Sequence, residues 1–237
     1  MGGAGAGLPV DVIGALHANP ALLTQFDNIR VEISAEAFAD DLSMTTPRAG
    51  SPNPETDRVT TDSDGELGIL PALGWSYHKP GSKVAYGWGL LAIAGFRTNW
   101  PPDPANTLIQ PQPIGFGQLQ TELAVSKIPF ALAWQVNDKL SLGASLNLYL
   151  SRLSIQPLPV VLQDCTDTAG NFTTVPNTLG DNCYRPDVSV PTSEFALSLQ
   201  VGLYYEFDPK WSLGFSYTTS QDYSPFTWQS ARANPDI

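Results

Sequence analysis

Few side chains in this chain have the chemistry to catalyse a reaction. His17 and His78 are the only two histidines. No G-x-S-x-G nucleophile elbow, zinc-ligand spacing or phosphate-binding glycine loop appears. Cys165 and Cys183 share one polar stretch that also holds Pro and Gly. They read either as two unrelated thiols or as a disulfide closing a surface loop in an oxidising compartment, and the disulfide is the expectation. Their separation does not suit zinc, and no Cys or His cluster accompanies them. Asp164, Asp167, Asp181 and Asp187 offer oxygen donors to a divalent cation, but their spacing fits no calcium loop. Solvated loop carboxylates are the plainer reading. No catalytic residue, metal ligand or cofactor site is assigned.

The bulk composition narrows the partners. Twelve basic residues against 23 acidic ones give a formal net charge of -11. A phosphate backbone needs a basic face, so nucleic acid is excluded as a partner. Only 15% of residues are charged, well under the usual quarter. No run of 18 apolar residues offers a transmembrane helix. The most continuous one, Val84 to Phe96, is short and Gly-rich. The opening MGGAGAGLP lacks the charged start and apolar core of a signal peptide. The chain is thus either cytoplasmic or preceded by a leader.

Alternation of apolar and polar residues is the strongest signal, because successive side chains of a strand point to opposite faces. Phe195, Leu197, Leu199, Val201, Leu203, Tyr205 and Phe207 alternate with Ala196, Ser198, Gln200, Gly202, Tyr204 and Glu206. After a turn at 208–210, Trp211, Leu213, Phe215 and Tyr217 continue the apolar set. An earlier hairpin does the same, with Phe130, Leu132, Trp134 and Val136 before its turn and Leu140, Leu142, Ala144, Leu146 and Leu148 after it. Its segment WQVNDKLSLGASL repeats as YEFDPKWSLGFSY, sharing Lys139/Lys210, Ser141/Ser212, Leu142/Leu213, Gly143/Gly214 and Ser145/Ser216. A third hairpin turns at 79–82, and one more strand is expected over 29–38. Seven strands result, most of them long enough for the 9–11 residues that a tilted strand needs to cross a bilayer.

Connections alternate in kind. Short turns fall at 79–82, 137–139 and 208–210, and long polar loops near 46–65, 97–118 and 156–193. An up-and-down sheet with tight turns at one rim and long loops at the other has this order, as transmembrane β-barrels do. The non-greasy face carries Gly, Ser, Ala and Asn with few charges, which suits a filled barrel interior better than open water. Trp75, Tyr77, Trp134, Tyr205, Phe207 and Trp211 all sit near short turns, as an interfacial aromatic girdle does.

Several segments resemble the FadL-type outer-membrane transporters of long-chain fatty acids and other hydrophobic molecules. GGAGAG followed by HANPALLTQF (17–26) is similar to the family's hatch with its Asn-Pro-Ala motif. PALGWSY (71–77) and AIAGFRTNW (92–100) are similar to its second and third strands, and the repeated hairpins to later ones. The resemblance implies an all-β fold, an antiparallel up-and-down transmembrane β-barrel of fourteen strands. This chain then supplies about the N-terminal half, with residues 1–28 as hatch and 29–237 as partial barrel. The leader and roughly the C-terminal half are expected to lie outside it.

What the resemblance implies for function is passive transport in the outer membrane of a Gram-negative cell. A hydrophobic ligand, such as a long-chain fatty acid or a hydrocarbon, enters an apolar pocket and leaves sideways into membrane lipid. The hatch faces the periplasm and gates the path, and the full-length protein is expected to be monomeric. Asn19, Pro20 and Ala21 match the hatch motif, where Pro fixes φ and Asn makes local turn bonds. Read by themselves, Asn19 and Pro20 are also an N-cap and first residue of a helix. Strand 83–98 would turn Ala85, Gly87, Gly89, Leu91, Ile93 and Gly95 inward, and the resemblance places the kink that opens the wall near Ala94, Gly95 and Phe96. Tight packing of its glycines against the hatch is the other reading. Three rival functions remain: a secreted soluble β-sandwich binding module, an outer-membrane structural or adhesion barrel without a transported ligand, and a lipid-modifying enzyme with its Ser/His site elsewhere.

Overall fold

The computed structural model describes residues 4–227 apart from positions 40, 66, 113, 158–163, 168, 170, 174–181 and 185–187. A short N-terminal segment precedes the strands. It holds a 3-10 turn at Ala4–Ala6, the helix α1 (Val12–Ala18) and a second 3-10 turn at Pro20–Gln25. Asn28 then takes a φ of 67°, a left-handed conformation that Asn tolerates better than most residues, and the chain swings into the wall.

The wall begins with β1 (Asn28–Phe38). A hairpin of β2 (Ser43–Pro47) and β3 (Arg58–Asp62) follows, then β4 (Gly68–His78), β5 (Val84–Trp100), β6 (Leu119–Gln135) and β7 (Leu140–Gln156). Next come the short β8 (Asp164–Thr166), β9 (Phe172–Thr173) and β10 (Asn182–Tyr184), and finally β11 (Val188–Asp208) and β12 (Trp211–Thr218). Seven of these form one antiparallel sheet in the order β1-β4-β5-β6-β7-β11-β12. With the loop strands set aside, that is chain order, so the wall is an up-and-down meander.

The strands overrun the loops expected from polarity. β5 continues to Trp100 and β11 starts at Val188, inside stretches read as the 97–118 and 156–193 loops. Polar residues there still pair, as Arg97 does with Glu122 and Asn99 with Gln120. Backbone hydrogen bonding does not require apolar side chains. The loops also hold their own structure. β2 pairs β3, and β8 pairs both β9 and β10.

The faces are reversed relative to a water-soluble sheet. Ile33, Val201, Leu213 and Phe215 point outward and are exposed, whereas Ser76, Asn147, Ser198 and Gln200 point inward and are buried. Only an apolar surrounding makes that outer face favourable. Among the described residues no helix is long and apolar enough to cross a membrane; the strands have the outer face to do so. The aromatic residues near the short turns pack together, with Tyr205 and Phe207 ring centroids 4.8 Å apart and Tyr77 and Tyr86 5.5 Å apart.

The repeated hairpins use one turn device. Asn137 Oδ1 accepts from the backbone N–H groups of Lys139 and Leu140, each at 2.9 Å. Asp208 Oδ1 accepts from Lys210 and Trp211 at 2.8 and 3.1 Å. The side chain thus satisfies the turn's donors in both copies.

The core lies between wall and N-terminal segment. Val12, Ala15, Leu16, Ala21, Leu22 and Leu23 are buried against Ala85, Leu91, Ala131, Ala133 and Tyr204. Each fully buried Leu contributes about 1.5–3 kcal/mol, so this short segment is held chiefly by packing onto the wall.

Candidate functional site

The segment over residues 4–27 occupies the concave face of the wall, and Asn19 is its hub. The side chain is fully buried. Its Nδ2 donates to the Ala6 carbonyl at 2.7 Å and to the Leu203 carbonyl of β11 at 2.9 Å. Its Oδ1 accepts from Ala21 N at 3.0 Å, and its backbone N–H closes α1 onto Ala15 O. One side chain therefore ties two parts of the segment to the wall with every polar atom satisfied. Pro20 is the first residue of the following 3-10 turn, with Asn19 as its cap. The turn-locking and helix-capping readings of this motif describe one geometry. Ala21 is buried beside β7.

Three wall glycines make the seat. A Cβ on Gly143 would come within 2.7 Å of Ala21 Cα, and one on Gly202 within 3.1 Å of Pro20 Cδ while overlapping Asn19 Oδ1. At Gly214 a Cβ would overlap the Ala6 carbonyl. Gly143 and Gly202 are direct cross-strand partners. The serine two residues before each repeated glycine adds a polar contact. Ser141 Oγ lies 2.8 Å from Thr24 Oγ1, and Ser212 Oγ donates to Gly7 O at 2.7 Å. The repeated Ser-Leu-Gly is thus a docking unit used twice: a notch for backbone and a hydroxyl beside it.

Helix α1 is held at both ends by charges from the wall. Glu32 of β1 accepts from Val12 N at 2.7 Å and Ile13 N at 3.2 Å, and Asp11 caps the same end through Gly14 N. At the other end Lys127 of β6, only 3% exposed, donates to Leu16 O at 3.3 Å, His17 O at 3.1 Å and Gln200 Oε1 at 2.9 Å. Gln200 Nε2 donates to Ala18 O at 3.0 Å. Negative charge at the N-terminus and positive charge at the C-terminus match the helix dipole and its unpaired backbone groups. The ring of His17 reaches an open recess of about 340 Å³ lined also by Lys127, Tyr149, Gln200, Ser216 and Thr218. Desolvation against the surrounding wall, and secondarily the Lys127 charge, hold its pKa below the ordinary value. A larger depression of about 650 Å³ lies beneath Trp75, Tyr86, Trp88 and Phe130. These large side chains belong to the outward, apolar face, away from the segment.

The wall itself parts beside this segment. β4 pairs β5 only from His78↔Ala85 to Ala72↔Leu91. Beyond that, β4 stays paired to β1 as far as Gly68, and β5 to β6 as far as Trp100. Both strands continue, but apart. A bulge at Ile93 shifts the β5–β6 register; beyond it Ala94 and Phe96 are exposed and Gly95 half-buried, but the three stand opposite β6 positions of the other parity. Ala85, Gly87, Gly89 and Leu91 are buried inward, but Gly95 pairs with outward Ala124, and Ala94 and Phe96 pair with Val125 and Leu123. A Cβ at Gly87 would press on the Trp75 carbonyl at 2.7 Å and one at Gly89 on the Leu73 carbonyl at 2.8 Å, the latter also lying 3.2 Å from Leu16 Cδ1 of α1. Both glycines pack against the neighbouring strand β4, and Gly89 packs against the segment as well.

Cys165 and Cys183 face each other across β8 and β10 and form a disulfide. Asp167 accepts from the backbone of Ala169 and Asn171 as a turn cap; Asp181 and Asp187 lie outside the described residues. Sequence reasoning missed Glu32, Lys127 and Gln200. Lys127 and Gln200 were readable as a charged or large polar residue amid small or apolar inward neighbours, whereas Glu32 shares its face with Arg30 and Glu36 and does not stand out.

Residues 1–225 match the family model described as Outer membrane protein transport protein (OMPP1/FadL/TodX). Among solved structures, the toluene transporter TodX of P. putida is similar at 16% identity and a TM-score of 0.58, over 89% of this chain and 52% of that one. A FadL homologue of Pseudomonas aeruginosa is similar at 16% identity and a TM-score of 0.55, over 92% and 49%. A deltaS2 mutant of the TodX monoaromatic hydrocarbon channel gives 17% identity and a TM-score of 0.64, over 89% and 51%. At such identities the likeness is one of fold. The chain spans about half the length of these structures. No curated protein sequence matches it.

Proposed function

Since the chain belongs to the OMPP1/FadL/TodX family of outer membrane transport proteins, we propose that it forms the hatch and half the wall of a passive outer-membrane channel for hydrophobic compounds. Long-chain fatty acids and hydrocarbons are the substrate class. The family is one of transport proteins, and the chain is no enzyme. The observation that carries the reading is the parting of β4 and β5 beyond Ala72 and Leu91, next to the seated hatch. A compound that has passed the outer loops meets the hatch on the inside and apolar bilayer on the outside. The parted wall offers the shorter route, and a greasy solute gains free energy by taking it. The hatch at residues 1–28 faces the periplasm and blocks the axial path, with Asn19, Pro20 and Ala21 as its fixed point. Bilayer lipid surrounds Ile33, Leu213 and Phe215.

The outward apolar face also bears on the soluble-sandwich alternative, because such a face in water would aggregate. The test is uptake. An outer-membrane host lacking its own hydrophobic-compound channels is given the protein, and entry of labelled oleate and toluene is followed. Faster entry of either, with the protein in the outer-membrane fraction, supports the reading. Membrane residence without faster entry of either compound would point to a structural or adhesion barrel instead.

A further inference from the structure

We infer that Leu70, standing against Gly95 where β4 and β5 no longer pair, sets the width of the wall gap and so selects the cross-section of compounds that leave through it. This rests on the lateral-release reading above and adds the residue that limits it.

Three backbone features create the gap. Pro71, the first β4 residue beyond the last β4–β5 pair, has no N–H to offer a neighbour. The β5–β6 ladder skips the positions around Pro129, running to Trp88↔Phe130 and resuming at Leu91↔Lys127. The bulge at Ile93 then gives β5 one residue more than β6, which bends the bulged strand and increases its local twist. β5 is therefore loosely held on both sides at the place where it departs from β4. In an apolar medium an unpaired donor is costly, and Pro71 removes one from the rim.

One side chain fills the space so made. A Cβ on Gly95 would lie 3.5 Å from Leu70 Cδ2 and equally 3.5 Å from the Leu123 carbonyl oxygen of β6, both ordinary contact distances. Leu70 shares the inward face of β4 with Gly74 and Ser76, and Gly95 stands against it from β5 where no ladder pair joins the two strands. The rim is apolar, with Pro71 on β4 and Phe96 on β5. Gly95 contributes no side chain, so Leu70 is the side chain that stands opposite it at the gap.

The test uses the protein in the outer membrane, with its level and folded migration as controls. L70A should speed entry of a bulky polycyclic hydrocarbon about tenfold and leave a straight-chain acid unchanged, whereas L70W and G95L should slow both about tenfold. An unchanged size profile in L70A and L70W would overturn the assignment to Leu70. A second variant separates that failure from failure of the premise. In L70C/G95C, bridging the two thiols with a short bifunctional reagent should stop entry of all compounds. If bridging blocks entry while the single variants do nothing, the gap is the route and Leu70 is not its limit. If bridging has no effect on entry that the protein itself provides, lateral release fails and the inference with it.

Discussion

Asn19 donates its side-chain amide to the Leu203 carbonyl at 2.9 Å, joining residues 184 positions apart in the chain. Asn19 is fully buried and the bond itself is partly so. It is the point at which the hatch becomes part of the wall.

Asn19→Ala should loosen the hatch without unfolding the barrel. The change removes the bonds to the Ala6 and Leu203 carbonyls and to Ala21 N, and a buried group left unpaired, as Ala21 N is, costs about 1–3 kcal/mol. Hydrogen exchange over residues 4–25 should accelerate strongly while β6 and β7 stay protected. Unchanged protection of the hatch would contradict the role given to Asn19. Asn19→Asp keeps the acceptor but loses both donors, and should fall near Ala.

Gly202→Ala should expel the hatch from its seat. The added methyl meets Asn19 Oδ1 directly, and overpacking of this kind costs about 1–3 kcal/mol. Gly50→Ala is a useful contrast. Gly50 has nothing within reach of a Cβ, but its φ of 73° makes the substitution strained. Local strain in an exposed loop should leave hatch protection intact. Limited proteolysis between residues 4 and 27 distinguishes the two, with cleavage expected only in Gly202→Ala.

Lys127→Met should weaken the C-terminal end of α1. It removes a charge and three hydrogen bonds while keeping the apolar stem, at a cost of up to about 2 kcal/mol from the dipole interaction alone. Glu32→Gln should act on the other end, on Val12 and Ile13. Amide exchange resolved along α1 would show opposite ends fraying in the two variants; identical patterns would argue against a two-ended clamp.

The hatch should seat less firmly in acid. His17 has its pKa lowered from 6.5 in the folded state, so the released segment binds more protons than the seated one. Stability from this group is complete above about pH 6.5 and is lost as pH falls through the lowered folded value. Hatch exchange, corrected for intrinsic chemical rates, should be faster at pH 5.5 than at pH 7.5. His17→Gln should remove that component; a slope unaffected by the substitution would assign it to other groups.

Cleaving the Cys165–Cys183 bridge should affect the outer loop alone. The bond spans 18 residues, worth about 3 kcal/mol to the closed loop. Cys165→Ser should speed exchange across β8 and β10 and leave the wall and uptake unchanged. A fall in uptake would show that this loop guides the compound inward.

The wall was legible because it repeats. Alternation through 195–217 and 130–148 fixed strands, faces and the short turns, and the aromatic residues marked the turn rim. The hatch was legible as a motif, but its contacts were not. Glu32 and Lys127 meet α1 from strands 95 residues apart, and no local pattern links them. The bulge at Ile93 escaped for a related reason: it is defined by the count of residues on β6, and the alternation within β5 runs on through it. The repeated Ser-Leu-Gly looked like a strand signature. Its use as a seat emerges only when the hatch backbone is laid across Gly143 and Gly214.

The docking of Gly7 onto Ser212, 205 positions away, has a consequence for biogenesis. The hatch precedes in the chain every strand that seats it, yet its seat is complete only when β12 has joined the sheet. Such distant contacts close late. The N-terminal segment must wait, unsealed and with apolar Val12, Leu16, Leu22 and Leu23 uncovered, while the strands assemble beside it. Whatever escorts the chain to its membrane must shield those residues first and surrender them last.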